Sequence, residues 1–145
     1  MIPPFEASSN LPPGVHTATW SECASAFGTT PHRRALLAGL RAALEALRAA
    51  GCRRVYIDGS FVTAKRRPND FDGCWDMEGV HPDQLDSVLL TFDRGRAAQK
   101  AKYRGELFPA QFAEGGSGMT FLEFFQFDKE GRPKGIIALN LQELS

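Results

Sequence analysis

Two aspartates one residue apart, Asp70 and Asp72, follow shortly after a Gly-Ser turn at Gly59 and Ser60 in the run "VYIDGSFVTAKRRPNDFD". Alternate side chains of a strand share a face, so the two carboxylates would project together with Phe71 opposite. Held that closely they repel when both are ionised, and a bound divalent cation removes the penalty. Magnesium suits the position because it prefers oxygen ligands and usually takes one or two carboxylates together with substrate phosphates and waters. At the turn, Gly59 lets a backbone approach closely, and Ser60 can offer both its N–H and its hydroxyl to a phosphate oxygen. Each feature also has an ordinary explanation: one aspartate capping the turn after Pro68 and Asn69, the other in water, and a glycine closing a strand-to-helix turn. Together they are more specific than apart.

The elements that must position these residues are readable on both sides. In "TTPHRRALLAGLRAALEALRAAG", Thr30 can cap, Pro31 suits the first helical position and Gly51 suits the stop. Leu36, Leu37, Leu40, Leu44 and Leu47 form one apolar stripe, while Arg34, Arg41 and Arg48 fall elsewhere, which predicts a long helix packed on a sheet. "RRVYID" predicts a strand ending in the turn, and "DFDGCWDM" a second strand. Upstream, residues 21–27 predict a short helix stopped by Gly28, and residues 1–18, with four prolines, an extended N-terminal arm. Downstream, helices are expected from His81-Pro82-Asp83 through Leu90 and along "RGRAAQKAKYRG". "ELFPA" is at best a short edge strand because of Pro109. "MTFLEFFQF" and "KGIIALNL", separated by "DKEGRP", predict a C-terminal β-hairpin, with Phe on both parities of the first strand implying cover on both sides. Trp75, Phe121, Phe124 and Phe125 then belong to the core or a sheet face rather than to a base-stacking platform.

The 145 residues suffice for one domain, and the fold expected is α/β (α+β), a mixed sheet flanked by helices. Seventeen basic residues offset seventeen acidic ones, so any site for a polyanion must be local. Lys65, Arg66 and Arg67 lie in the loop between the turn and the aspartates, where one could neutralise phosphate charge or all could be solvated. Arg96, Lys100 and Arg104 make one positive stripe on a helix, able to meet a triphosphate tail or an RNA backbone, or to face water. His16, His32 and His81 have no spacing that suggests chemistry. Cys23, Cys52 and Cys74 are odd in number and widely spaced, as in a cytoplasmic protein with reduced thiols. The N-terminus does not read as a signal peptide, and no stretch reaches the roughly 18 apolar residues of a membrane span. P-loop and simple dinucleotide-binding motifs are absent from the sequence.

With the strand, Gly59-Ser60 and Asp70-x-Asp72 in order, the segment 55–76 resembles the nucleotidyltransferase superfamily related to DNA polymerase beta, especially its minimal bacterial type. The whole chain also resembles a family of small bacterial proteins carrying "LPPGVH", "DGSFVT", a Pro-x-Asp-x-Asp segment and "GRPKGII". The resemblance implies a nucleotidyltransferase-like fold and magnesium-dependent transfer of a nucleoside monophosphate from a nucleoside triphosphate to a hydroxyl of a protein or RNA, tRNA included. It implies Asp70 and Asp72 as catalytic metal ligands, and Gly59 and Ser60 at the triphosphate; with a triphosphate there, Lys65 of the basic loop and Lys100 of the positive stripe are the nucleotide-binding cations expected. It further implies a third carboxylate, for which Glu106 is favoured over Glu123. Toxin-antitoxin and phage-defence systems are the contexts so implied, with a toxin or antitoxin as partner. Gly73 interrupts the expected apolar strand, Asp76 adds a charge, and the third acid is glutamate where aspartate is usual. The alternative is therefore a transferase fold without catalysis, serving as nucleotide sensor or protein-interaction module.

Overall fold

The computed structural model describes residues 2–144. Its longest element, helix α2 (Pro31–Ala49), begins as the residue types require: Thr30 Oγ1 accepts from Arg33 N–H and Pro31 fills the first turn. The leucine stripe of α2 lies in the core, with Leu40, Leu44 and Leu47 fully buried. Truncating any one of them to alanine should cost about 2–5 kcal/mol. Helix α1 (Trp20–Phe27) precedes it, opened by a reciprocal capping box between Thr19 and Glu22 and closed at Gly28.

Five strands form one mixed sheet: β1 (Gly14–Ala18), β2 (Arg54–Asp58), β3 (Phe71–Trp75), β4 (Gly105–Pro109) and β5 (Gly135–Asn140), in the order β1-β5-β2-β3-β4. β2 is antiparallel to both β5 and β3, and the two outer pairs, β1 with β5 and β3 with β4, are parallel. The mixed α+β architecture is thus as expected from the sequence. On one face, Val55, Ile57, Phe71, Leu107 and Ile137 meet α1 and α2 in the main core. On the other, Cys74, Ile136, Tyr56 and Phe108 form a smaller cluster.

Gly73 sits inside β3, between Ile57 and Leu107, without breaking it. A Cβ there would come 2.3 Å from the Tyr56 carbonyl oxygen, so the close approach of β2 explains the glycine. Helix α3 (Asp93–Tyr103) packs on β4, and buried Gln99 accepts from Leu107 N–H at 2.9 Å, which satisfies a backbone donor on that edge strand.

Several expectations need correction. The helix expected from His81 through Leu90 is two short 3₁₀ turns, Pro82–Gln84 and Ser87–Leu90. Residues 14–18 of the expected arm are strand β1. The C-terminal β-hairpin does not form. β5 is a strand, but it pairs with β1 and β2, and only a single bridge, Phe127 to Pro133, spans the Asp-Gly turn. Its intended partner is instead helix α4 (Phe121–Phe124), opened by a capping box between Thr120 and Glu123. The helical turn puts Phe121 and Phe125 on one face, where Phe121 stacks on Phe108 of β4 at 4.2 Å between ring centroids. Phe121 and Phe125 thus cover one side of a helix rather than both sides of a strand, while Phe124, expected in the core or on a sheet face, is exposed.

Candidate active site

Strand register gathers the acids. Asp58, the last residue of β2, pairs with Asp72 of β3, which pairs in turn with Glu106 of β4. Side chains in such a row share a face, here the one carrying Tyr56, Cys74 and Phe108. Asp70 lies just before β3.

Each acid except Asp72 has a cation. Lys134, one residue before β5, holds Nζ 2.8 Å from Asp58 Oδ1. Arg96 Nε donates to Glu106 Oε2 at 2.7 Å, and Lys100 Nζ stands 3.6 Å from Glu106 and 3.9 Å from Asp70. Among the described residues Asp72 faces no cation at ion-pair distance. Burial, then the neighbouring charges of Asp70 and Glu106, push its carboxyl up to about 8, and the protonated group shares a hydrogen bond with Glu106. Asp70 and Asp58 are also raised, both chiefly by burial, against which Lys100 and Lys134 respectively act.

The Gly-Ser turn lies against this row. Gly59 has φ +81° and ψ −171°, a conformation that excludes ordinary L side chains, and a Cβ on it would come 2.3 Å from Asp72 Oδ2. Ser60 starts a 3₁₀ turn, Ser60–Val62, and its carbonyl accepts from Thr63 Oγ1 at 2.6 Å. The loop beyond is fixed by Arg33, a buried arginine on the first turn of α2. Its guanidinium donates to the carbonyls of Phe27, Phe61, Thr63 and Lys65 at 2.5–3.2 Å and lies over the Phe61 ring.

Two cavities flank the acids. One of about 570 Å³ is lined by Gly59, Ser60, Lys65, Asp72 and Lys134, with Phe124 and Phe127 on its wall. The other, about 470 Å³, is lined by His32, Asn69, Asp70, Lys100 and Arg104. Gly59, Ser60, Lys65 and Asp72 therefore come together, whereas Lys100 lies with Asp70 on the second side. Glu106 adjoins Asp72. Glu123, in contrast, is turned to its own helix cap, accepting from Thr120 N–H at 3.0 Å. Sequence reasoning missed Asp58, Lys134 and Arg33. Asp58 was visible in "DGS" only as a turn former, and nothing local marks Lys134 as its partner.

The donor chemistry fits magnesium: Asp70 and Asp72 offer hard oxygen ligands beside the Gly-Ser turn. Among the described residues no group of three or more His, Cys, Asp or Glu is gathered so as to hold a metal by itself. A partial carboxylate shell completed by waters and substrate phosphates is the usual magnesium arrangement. Among the described residues no helix is long and apolar enough to cross a membrane, and the three cysteines are buried and free.

The chain belongs to DUF6932, a family of unknown function, whose match spans residues 3–140. No curated protein and no solved structure matches it.

Proposed function

We propose that this protein is a cytoplasmic, magnesium-dependent nucleotidyltransferase of the minimal polymerase-beta-like type. It moves a nucleoside monophosphate from a nucleoside triphosphate to a hydroxyl of a protein or RNA acceptor, such as a tRNA, in a toxin-antitoxin or phage-defence setting. One observation carries the reading: a glycine that only its missing Cβ fits against Asp72 begins a Gly-Ser turn, at the point where Asp70, Asp72 and Glu106 converge.

The triphosphate lies in the cavity lined by Gly59 and Ser60, where Ser60 and Lys65 face its oxygens. Asp70 and Asp72 would hold the metal, which would supply charge neutralisation on the phosphates and a lower cost of deprotonating the acceptor. The acceptor hydroxyl comes from the Asp70 and Lys100 side. Its oxygen bonds to the α-phosphorus, the bond from that phosphorus to the bridging oxygen breaks, and pyrophosphate leaves with the electron pair. Glu106, the third carboxylate, accepts the hydroxyl proton once Arg96 and Lys100 have moved toward phosphate oxygens.

Incubation with labelled nucleoside triphosphates, a tRNA pool and candidate protein partners tests the reading. Label incorporated by the wild type should vanish when Asp70→Asn and Asp72→Asn are combined. Incorporation that survives both substitutions rejects it.

A second reading is favoured by the ion pairs themselves. Arg96 and Lys100 already neutralise Glu106 and Asp70, as a metal would. A transferase fold without catalysis, acting as nucleotide sensor or protein-interaction module, needs nothing more. Triphosphate binding that is indifferent to magnesium, with no transfer to any acceptor, is its signature.

A further inference from the structure

Phe124 and Phe127 are 37% and 40% exposed, unlike most aromatic residues of this chain. Their exposure has a local cause. Helix α4 directs Phe121 and Phe125 toward Phe108, so Phe124, one position before Phe125, is rotated off that face. Phe127 N–H donates to the Phe124 carbonyl at 3.3 Å, which carries both rings on one turn of backbone. The bridge from Phe127 to Pro133 pins that turn to the segment that also supplies Lys134.

Single exposed apolar side chains are ordinary. These two, however, line the same cavity as Gly59, Ser60, Lys65 and Asp72. Ligand sites of roughly 300–1,000 Å³ combine an apolar wall with a few placed polar groups, and this cavity, about 570 Å³, has both. A polar-only ligand such as pyrophosphate would leave the rings in water. A ligand with an anionic end and a flat aromatic end would cover both halves.

We propose that Phe124 and Phe127 form the stacking wall for the base of a nucleoside triphosphate whose phosphates lie at Gly59 and Ser60. The inference rests on the nucleotidyltransferase reading above and adds where the base goes. Stacking accepts any base because every base has a π face, so the wall sets affinity for nucleosides over bare polyphosphate rather than choice among bases. Asn10, Asp128 and Lys129, which also line the cavity, supply the hydrogen-bonding groups from which base choice would come.

The test is calorimetric titration of the full chain with magnesium ATP and, separately, with magnesium and inorganic tripolyphosphate. Wild type should bind ATP more tightly than tripolyphosphate. Phe124→Ala with Phe127→Ala should weaken ATP roughly tenfold and leave tripolyphosphate unchanged. Phe124→Leu with Phe127→Leu keeps the apolar volume and lacks the rings, so it should lose nearly as much, and Phe124→Trp with Phe127→Trp should restore binding. Equal wild-type affinity for the two ligands, or ATP binding untouched by the alanine pair, overturns the stacking wall and leaves the transferase reading standing. Failure of the wild type to bind either ligand overturns both.

Discussion

Asp72 stands opposite Glu106 in the parallel pairing of β3 with β4, and its carboxyl shares a hydrogen bond with that of Glu106. The pair tolerates this because Asp72 is protonated there, its folded value being about 8 against an ordinary 3.8. A raised folded value stabilises the native state fully below the unfolded value, and that contribution is lost as pH climbs through the folded one. Without metal, the protein should therefore lose stability between about pH 4 and pH 8. Asp72→Asn mimics the neutral acid and removes the dependence, so its gain in stability over wild type should be clearly larger at pH 8.5 than at pH 5. Urea denaturation at the two pH values measures the difference. An equal gain at both would show that Asp72 does not titrate in this window.

Gly59→Ala should be costly on two counts, backbone strain and collision with Asp72. A destabilisation of about 1–3 kcal/mol is expected from the backbone alone. Magnesium-dependent triphosphate binding should fall with it, since the added methyl displaces the carboxylate. Thermal melts beside calorimetry check both effects, and wild-type behaviour in both would show that the turn relaxes freely.

Arg33 unites four carbonyls of residues 27–65 through one buried guanidinium. Replacing it with methionine leaves those acceptors unpaired, at about 3 kcal/mol. The sharper readout is local: trypsin should cut after Lys65 and Arg66 much faster in the variant at temperatures where both proteins remain folded, Arg67 being protected by the proline that follows it. Unchanged cutting would mean that the loop is ordered by other contacts.

Arg94, Gly95 and Arg96 all adopt left-handed backbone angles at the start of α3, with φ between 54° and 64°. Arg96→Gly and Arg96→Ala both remove the ion pair to Glu106, but only glycine relieves the strain. The glycine variant should be the more stable by about 1 kcal/mol. Both should bind magnesium several-fold more tightly in calorimetry, because Glu106 loses a competing cation. Equal stability of the two variants would indicate that the turn is not strained.

What could be read in the sequence was what neighbours along the chain decide. Helix α2 announces itself through its leucine spacing and its caps, and β2, the Gly-Ser turn and β3 follow in continuous order. Segment 121–127 was illegible by periodicity because its phenylalanines satisfy helical and strand spacing at once. The Thr120-x-x-Glu123 capping box was the deciding local signal. The acid row was half visible. Asp70 and Asp72 share one motif, whereas Asp58 joins them through strand pairing and Lys134 through the arrival of β5. Arg33 reads as an ordinary charge near a helix start, and only tertiary packing turns it inward.

The position of β5 in the sheet also sets the timetable of folding. As the last strand in sequence it fits between β1, the first, and β2. A chain emerging from the ribosome can pair β2 with β3 early, but β1 has no partner and β2 keeps an open edge until residues 135–140 appear. Contacts that span so much of the chain form slowly. For that interval the unpaired edge of β2 is a template for another nascent chain, and Asp58 waits without Lys134. Of the five strands described, the one made after the other four is the one that closes the sheet and neutralises the first acid of the row.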